Sequence, residues 1–169
     1  MLLRSVVVLT AGLVLAGTAP ALAYRNPVPV KRPSGEPLET FADPSVLRAA
    51  DGGYYAFATS DPLDDRDREA NGALRIRRIP FARSTDLVNW TYSGEALSQA
   101  PAWAAPRSGL WAPDVREHDG RFLLYFTVTD TADAVSGEPG CNFDPAIGVA
   151  VAGSVASPSG VSRRASIPP

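Results

Sequence analysis

The sequence predicts an all-β chain of repeated four-stranded units, on three observations. An Asp-Gly turn leading into an aromatic-rich strand occurs twice, as Asp51-Gly52-Gly53 before Tyr54-Tyr55-Ala56-Phe57 and as Asp119-Gly120 before Phe122-Leu123-Leu124-Tyr125, the turns lying 68 residues apart. Short apolar runs are punctuated by 14 Gly and 16 Pro spread along the chain rather than massed in one tract. No helical periodicity follows the first 23 residues. Four short antiparallel strands make one propeller blade, so two such units in succession read as consecutive blades. A sandwich would accommodate the same strands, but the long repeat favours radial blades. Two units do not close a ring, which takes roughly four blades or more.

Met1 to Ala23 carries Arg4, an apolar run from Val6 to Ala16 and the small-residue ending Ala21-Leu22-Ala23, the pattern of a secretory signal peptide. The run is too short for a membrane span and is interrupted by Gly12, Gly17 and Pro20. The mature chain is expected to begin near Tyr24, to be secreted, and to have no membrane attachment after cleavage. Residues 24–40, with four prolines up to Pro37, read as an extended lead-in rather than helix or sheet interior.

The first unit then offers strands at Ser45 to Ala49 and Tyr54 to Ser60 joined by a tight turn. Asp61 to Asn71 reads as an exposed loop with solvated carboxylates, and Arg75, Arg77 and Arg78 as a basic patch facing Asp64 and Asp65. Ile79 to Ser84 and Trp90 to Ser93 complete the unit, Trp90 serving packing and Asp86-Leu87-Val88-Asn89 making the connection. The second unit has strands at Val115 to Glu117, Phe122 to Thr129 and Ile147 to Ala152, with a long loop from Asp130 to Asp144. The propeller domain is expected over residues 41–160, followed by a divergent tail at 161–169.

With 16 Lys+Arg against 18 Asp+Glu, the chain has no charge excess suited to nucleic acid or an anionic membrane, and neutral partners are expected. Cys141 is the single cysteine and His118, beside a turn and expected to be exposed, the single histidine. No intrachain disulfide and no Cys/His metal site follow from that count. No cofactor is expected.

Two acids stand beside prolines just ahead of the repeated turns: Asp43 before Pro44 and Asp114 after Pro113. Such a pair invites a catalytic reading, although aspartate at a turn or strand start commonly serves local hydrogen bonding. Trp111 and Phe41 are aromatic candidates to line a site, and Trp103 divides between that role and core packing.

Four motifs in order, Asp43-Pro44-Ser45-Val46 with Tyr54-Tyr55, Arg83-Ser84-Thr85-Asp86-Leu87-Val88-Asn89-Trp90, Leu110-Trp111-Ala112-Pro113-Asp114-Val115 and Ala146-Ile147-Gly148-Val149-Ala150, closely resemble family 43 glycoside hydrolases. The resemblance implies a five-bladed β-propeller that hydrolyses α-L-arabinofuranosides or β-D-xylosides of plant cell-wall polysaccharide with inversion. By motif, Asp43 matches the general base and Asp114 the acid that orients and tunes the proton donor. The proton donor itself, a glutamate in a later blade, is absent from this sequence. The resemblance leaves room for a calcium ion on the propeller axis of a full-length form.

An inverting glycosidase places its base and acid roughly 6.5–9.5 Å apart so that a water fits between base and anomeric carbon. A third carboxylate raises the acid's pKa by like-charge repulsion. After Ser157-Pro158-Ser159-Gly160 the chain leaves the family pattern, so a truncated or frameshifted gene is expected, with little or no hydrolysis by the chain itself. The alternatives are a non-catalytic carbohydrate-binding remnant and a retaining, fructoside-cleaving five-bladed enzyme. The Trp-Ala-Pro-Asp motif argues against the latter.

Overall fold

The computed structural model describes residues 28–140, 142–155 and 161–164. The expected signal peptide, Cys141 and the Ser157–Gly160 departure point lie outside the described residues. The first sheet contains β1 (Val30–Lys31), β2 (Ser45–Arg48), β3 (Tyr54–Phe57), β4 (Pro80–Ser84) and β5 (Trp90–Glu95), in the order β1-β5-β4-β3-β2. The second contains β6 (Leu110–His118), β7 (Arg121–Val128), β8 (Ala146–Ala152) and β9 (Val161–Arg164), in that order. Every pairing is antiparallel except β1 with β5. A single helical turn, Asp133–Ser136, interrupts the β content.

Alternation builds the core, because successive side chains leave a strand on opposite faces. Tyr55, Phe57 and Phe81 from the first sheet meet Leu110, Val115, Leu124, Phe126 and Val128 from the second. The Phe57 and Phe81 rings stack with centroids 5.7 Å apart. Gly148 is required there, since a Cβ at that position would come within 2.6 Å of the Phe126 ring. On its other face the first sheet presents Ala56, Ala82 and Trp90, which Val28, Leu38 and Phe41 of the lead-in cover. The corresponding face of the second sheet leaves Tyr125 and Ile147 exposed. The two sheets thus pack through a shared apolar core, and neither closes on itself.

The extended lead-in lies at the edge of the first sheet, where Val30 and Lys31 pair with Trp90 and Thr91, while the strand bounds differ from those expected. The first strand of the second unit runs from Leu110 to His118, not Val115 to Glu117, because a bulge between Trp111 and Asp114 absorbs Pro113, whose nitrogen has no hydrogen to give a ladder. Strand β3 stops at Phe57 instead of Ser60. The first residues of the tail, Val161–Arg164, form the fourth strand of the second sheet.

The 61–71 loop also differs from its expected solvated state. Asp64 and Asp67 are buried, at 3% and 8% exposure. Arg77 grips Asp67 with two bonds, Nε to Oδ2 at 2.7 Å and NH2 to Oδ1 at 2.6 Å. Asp64 accepts from Arg32 at 2.6 Å and Arg66 at 3.1 Å. The basic patch therefore meets Asp67 and Glu95, not Asp64 and Asp65. Arg32 hydrogen-bonds Asp64 and, helped by the Arg66 backbone and side chain, holds its carboxyl down at about 2. Buried carboxylates survive only when paired in this way.

Candidate active site

Register fixes which ends of the strands meet. Ser45 pairs with Phe57, Phe57 with Phe81 and Pro80 with Glu95 in the first sheet. In the second, Leu110 pairs with Val128 and Val128 with Ala146. The Ser60 amide donates to the Leu110 carbonyl at 2.9 Å, joining these two ends. One end of the pair of sheets therefore carries Asp43, Thr59, the 61–79 loop, Trp111 and the 129–145 loop. The Asp51-Gly52 and Asp119-Gly120 turns close the opposite end, as does the Ser84–Asn89 connection. There Asp86 accepts the Val88 and Asn89 amides, which hold its carboxyl well below the usual carboxylate range.

Asp43 sits just before β2 with φ of 49°, a left-handed backbone that a non-glycine residue adopts only under constraint. The Thr59 amide donates to the Ala42 carbonyl at 3.0 Å, and the Thr59 hydroxyl donates to Asp43 Oδ2 at 3.0 Å. The Ala112 amide in turn donates to Thr59 Oγ1 at 2.9 Å. Ala112 is itself left-handed, at φ 44°, in the β6 bulge. Asp43 is exposed, and its Oδ1 has no partner among the described residues.

Asp114 lies within β6, opposite Tyr125. The Ser45 hydroxyl donates to its Oδ1 at 3.1 Å while Ser45 Oγ accepts the Val115 amide at 3.2 Å. Arg116 Nε donates to its Oδ2 at 3.0 Å. That ion pair is open to water, with side chains 70% and 49% exposed, and contributes little. The structure thus brings both predicted acids to the β2–β6 seam but does not make them equivalent: one precedes its strand and the other lies beyond a bulge.

Trp111 stands at the rim, 48% exposed, with its indole lying over Gly109, where any side chain would collide with the ring. Phe41 instead packs on the outer face of the first sheet. There it lines a groove of about 430 Å³ with Leu38, Pro44, Val46 and Trp90. Trp103 is half-buried against Gly148, and its indole N–H has no acceptor among the described residues. His118 is exposed on the far end. Among the described residues no three or more His, Cys, Asp or Glu side chains gather as a metal would require.

Sequence reasoning missed Thr59, Ser60 and Ser45. Ser60 is buried, its Oγ accepting the amide of Ile79 at 3.0 Å, a residue forced to φ 53°. The available signal was Thr59-Ser60, two hydroxyls closing the apolar run Tyr54 to Ala58 where a buried strand would have no use for them.

The Glycosyl hydrolases family 43 profile matches residues 36–160. An extracellular exo-α-(1→5)-L-arabinofuranosidase of Streptomyces avermitilis is 30% identical over 142 residues, covering 78% of this chain and 24% of that protein. The extracellular endo-α-(1→5)-L-arabinanase 1 of Bacillus subtilis is 26% identical over 154 residues, covering 88% of this chain and 38% of that one. Among solved structures, native Bacillus subtilis arabinanase superposes with a TM-score of 0.51 at 24% identity, over 72% of this chain and 36% of that chain. A Cellvibrio cellulosa α-L-arabinanase mutant gives 0.50 at 30% identity, over 75% and 34%. The chain therefore spans well under half the length of these relatives. Its match across both sheets, with the mouth residues included, makes it a member of glycosyl hydrolases family 43.

Proposed function

We propose that this chain is the water-activating part of a secreted, inverting glycoside hydrolase acting on α-(1→5)-linked arabinan of plant cell walls. The observation that carries the reading is Asp43: an exposed carboxylate with one oxygen pinned by Thr59 and the other without a partner among the described residues. A general base needs that arrangement, a fixed oxygen for orientation and an open one for the proton of water. Asp114, engaged on both oxygens, takes the supporting role of a fixed negative charge that keeps a neighbouring acid protonated.

Arabinan is preferred to β-D-xyloside or fructoside because the relatives carry arabinan-cleaving names. Trp111 at the rim supplies an aromatic face to a furanose. Secretion is supported by the leader at Met1 to Ala23 and by the extracellular relatives. In the complete site, a five-bladed ring, the proton donor comes from outside the two described sheets.

The test is titration of the purified 169-residue chain with α-1,5-arabinotriose, followed residue by residue by NMR. Binding that perturbs Thr59, Ala112 and Trp111, with debranched arabinan released at or near background rate, is expected. No binding, or perturbation centred on the Asp51 and Asp119 turns, would sink the reading.

A further inference from the structure

We propose that Thr59 is the positioning residue for Asp43, selecting which carboxylate oxygen faces the incoming water; this rests on reading Asp43 as the base. The argument begins with direction. Thr59 Oγ1 accepts the Ala112 amide at 2.9 Å, so its own proton is free for Asp43 Oδ2, 3.0 Å away. The Thr59 amide meanwhile holds the Ala42 carbonyl at 3.0 Å, which fixes the peptide leading into Asp43. One residue thus restrains both the backbone and the side chain of the acid.

Backbone strain gives the second line. Asp43 and Ala112 are both non-glycine residues at positive φ, 49° and 44°, and Thr59 is the group that touches both. Residues in this conformation persist only where surrounding bonds over-determine them, and they concentrate at working sites. Ser60, the next residue, repeats the device with Ile79 at φ 53° and the Leu110 carbonyl. Thr59 therefore belongs to a rigid pair, and its β-branched side chain, stiff about χ1, holds the hydroxyl in one direction.

The bridge also crosses from one sheet to the other, because Thr59 follows β3 and Ala112 belongs to β6. The orientation of Asp43 is consequently set by how the two sheets pack. Any displacement of β6 reaches the carboxylate through one hydroxyl.

Arabinotriose titration and amide exchange of the full 169-residue chain test this. Thr59→Val should weaken binding about tenfold and speed exchange of the Ala112 amide about tenfold, as expected for losing a hydrogen bond to a charged group. Thr59→Ser should restore both to within about threefold of the parent. In an Asp43→Asn background Thr59→Val should have no further effect on affinity, a non-additivity that loss of packing alone would not produce. Equal affinity of parent and Thr59→Val, failure of Ser to restore, or full additivity would each overturn the proposal while leaving the carbohydrate reading intact. A parent chain that binds no arabinotriose would overturn both. If Thr59→Val loses the fold, the Thr59→Ser comparison and the Ala112 amide in Asp43→Asn decide: Ala112 exchange indifferent to Asp43→Asn contradicts the bridge.

Discussion

Asp43 and Asp114 receive the same kind of help and put it to different use. Each has a carboxylate oxygen bonded by a hydroxyl, from Thr59 just after β3 or from Ser45 in β2, and each of those hydroxyls accepts a backbone amide from β6. Asp43 sits on a strained backbone with one oxygen open, whereas Asp114 sits in regular strand after the bulge with both oxygens engaged. The difference teaches that a shared clamp does not make a shared role. On the function proposed above, strain and a free lone pair fall to the acid assigned the base role, and full engagement to the one assigned support.

The largest expected effect falls on the 61–79 loop, which follows Thr59 and Ser60 at the same end of the sheets. Arg77→Ala leaves the buried Asp67 carboxylate without its bidentate partner and should cost about 3 kcal/mol in chemical denaturation, since breaking a buried pair strands a charge. A loss below about 1 kcal/mol, the worth of an exposed pair, would show that the 61–79 loop does not hold the mouth.

Glycine substitution separates the two acids directly. Asp43→Gly should raise stability by about 1 kcal/mol by relieving the left-handed backbone, with arabinotriose binding weakened. Asp114→Gly should lower stability by about 2 kcal/mol, through strand entropy and the lost Ser45 bond. Effects of the same sign would erase the distinction drawn here.

The pH response should spare both acids' surroundings near neutrality. Asp64 is held at about 2 by Arg32 and Arg66, below its unfolded value near 4. A depressed carboxyl stabilises the fold above the unfolded value, and that stabilisation is lost as pH falls from about 4 through about 2. Arg77 hydrogen-bonding likewise lowers Asp67 and adds to the same acid limb. Arg32→Met should shift acid unfolding to higher pH. An unchanged acid transition would remove Asp64 from the account.

The smallest effect concerns the rim. Trp111→Ala should weaken arabinotriose about fivefold without altering the melting temperature, because its ring is half exposed and packs on Gly109. Phe41→Ala should instead destabilise the fold, since Phe41 belongs to the outer apolar cluster with Trp90 and Val30. Reversed outcomes would exchange their roles.

The strand pattern could be read in the sequence because alternation and the Asp-Gly turns are local signals. The different backbone settings of the two acids were not legible because the β6 bulge shifts register by a residue, which a spacing rule cannot foresee. The buried Asp64 and Asp67 were missed for a related reason: their arginine partners at Arg32 and Arg77 are distant along the chain, and a charge-rich loop looks solvated until those partners are placed. Of the four motifs behind the resemblance, those at Asp43 and Trp111–Asp114 bring the two acids to the mouth, and Ala146 opens its motif at the same end, opposite Val128. Arg83–Trp90 includes the far-end turn, and Ala146–Ala150 belongs to β8.

The central claim is that Asp43 activates water. It is tested most directly by grafting residues 36–160 in place of the matching part of the Bacillus subtilis arabinanase and measuring kcat on debranched arabinan with and without Asp43→Asn. The account predicts an active chimera whose kcat falls by about 10²–10⁴ on Asp43→Asn, the range of general acid–base catalysis. Retention of kcat within about twofold in a folded, active chimera would contradict it.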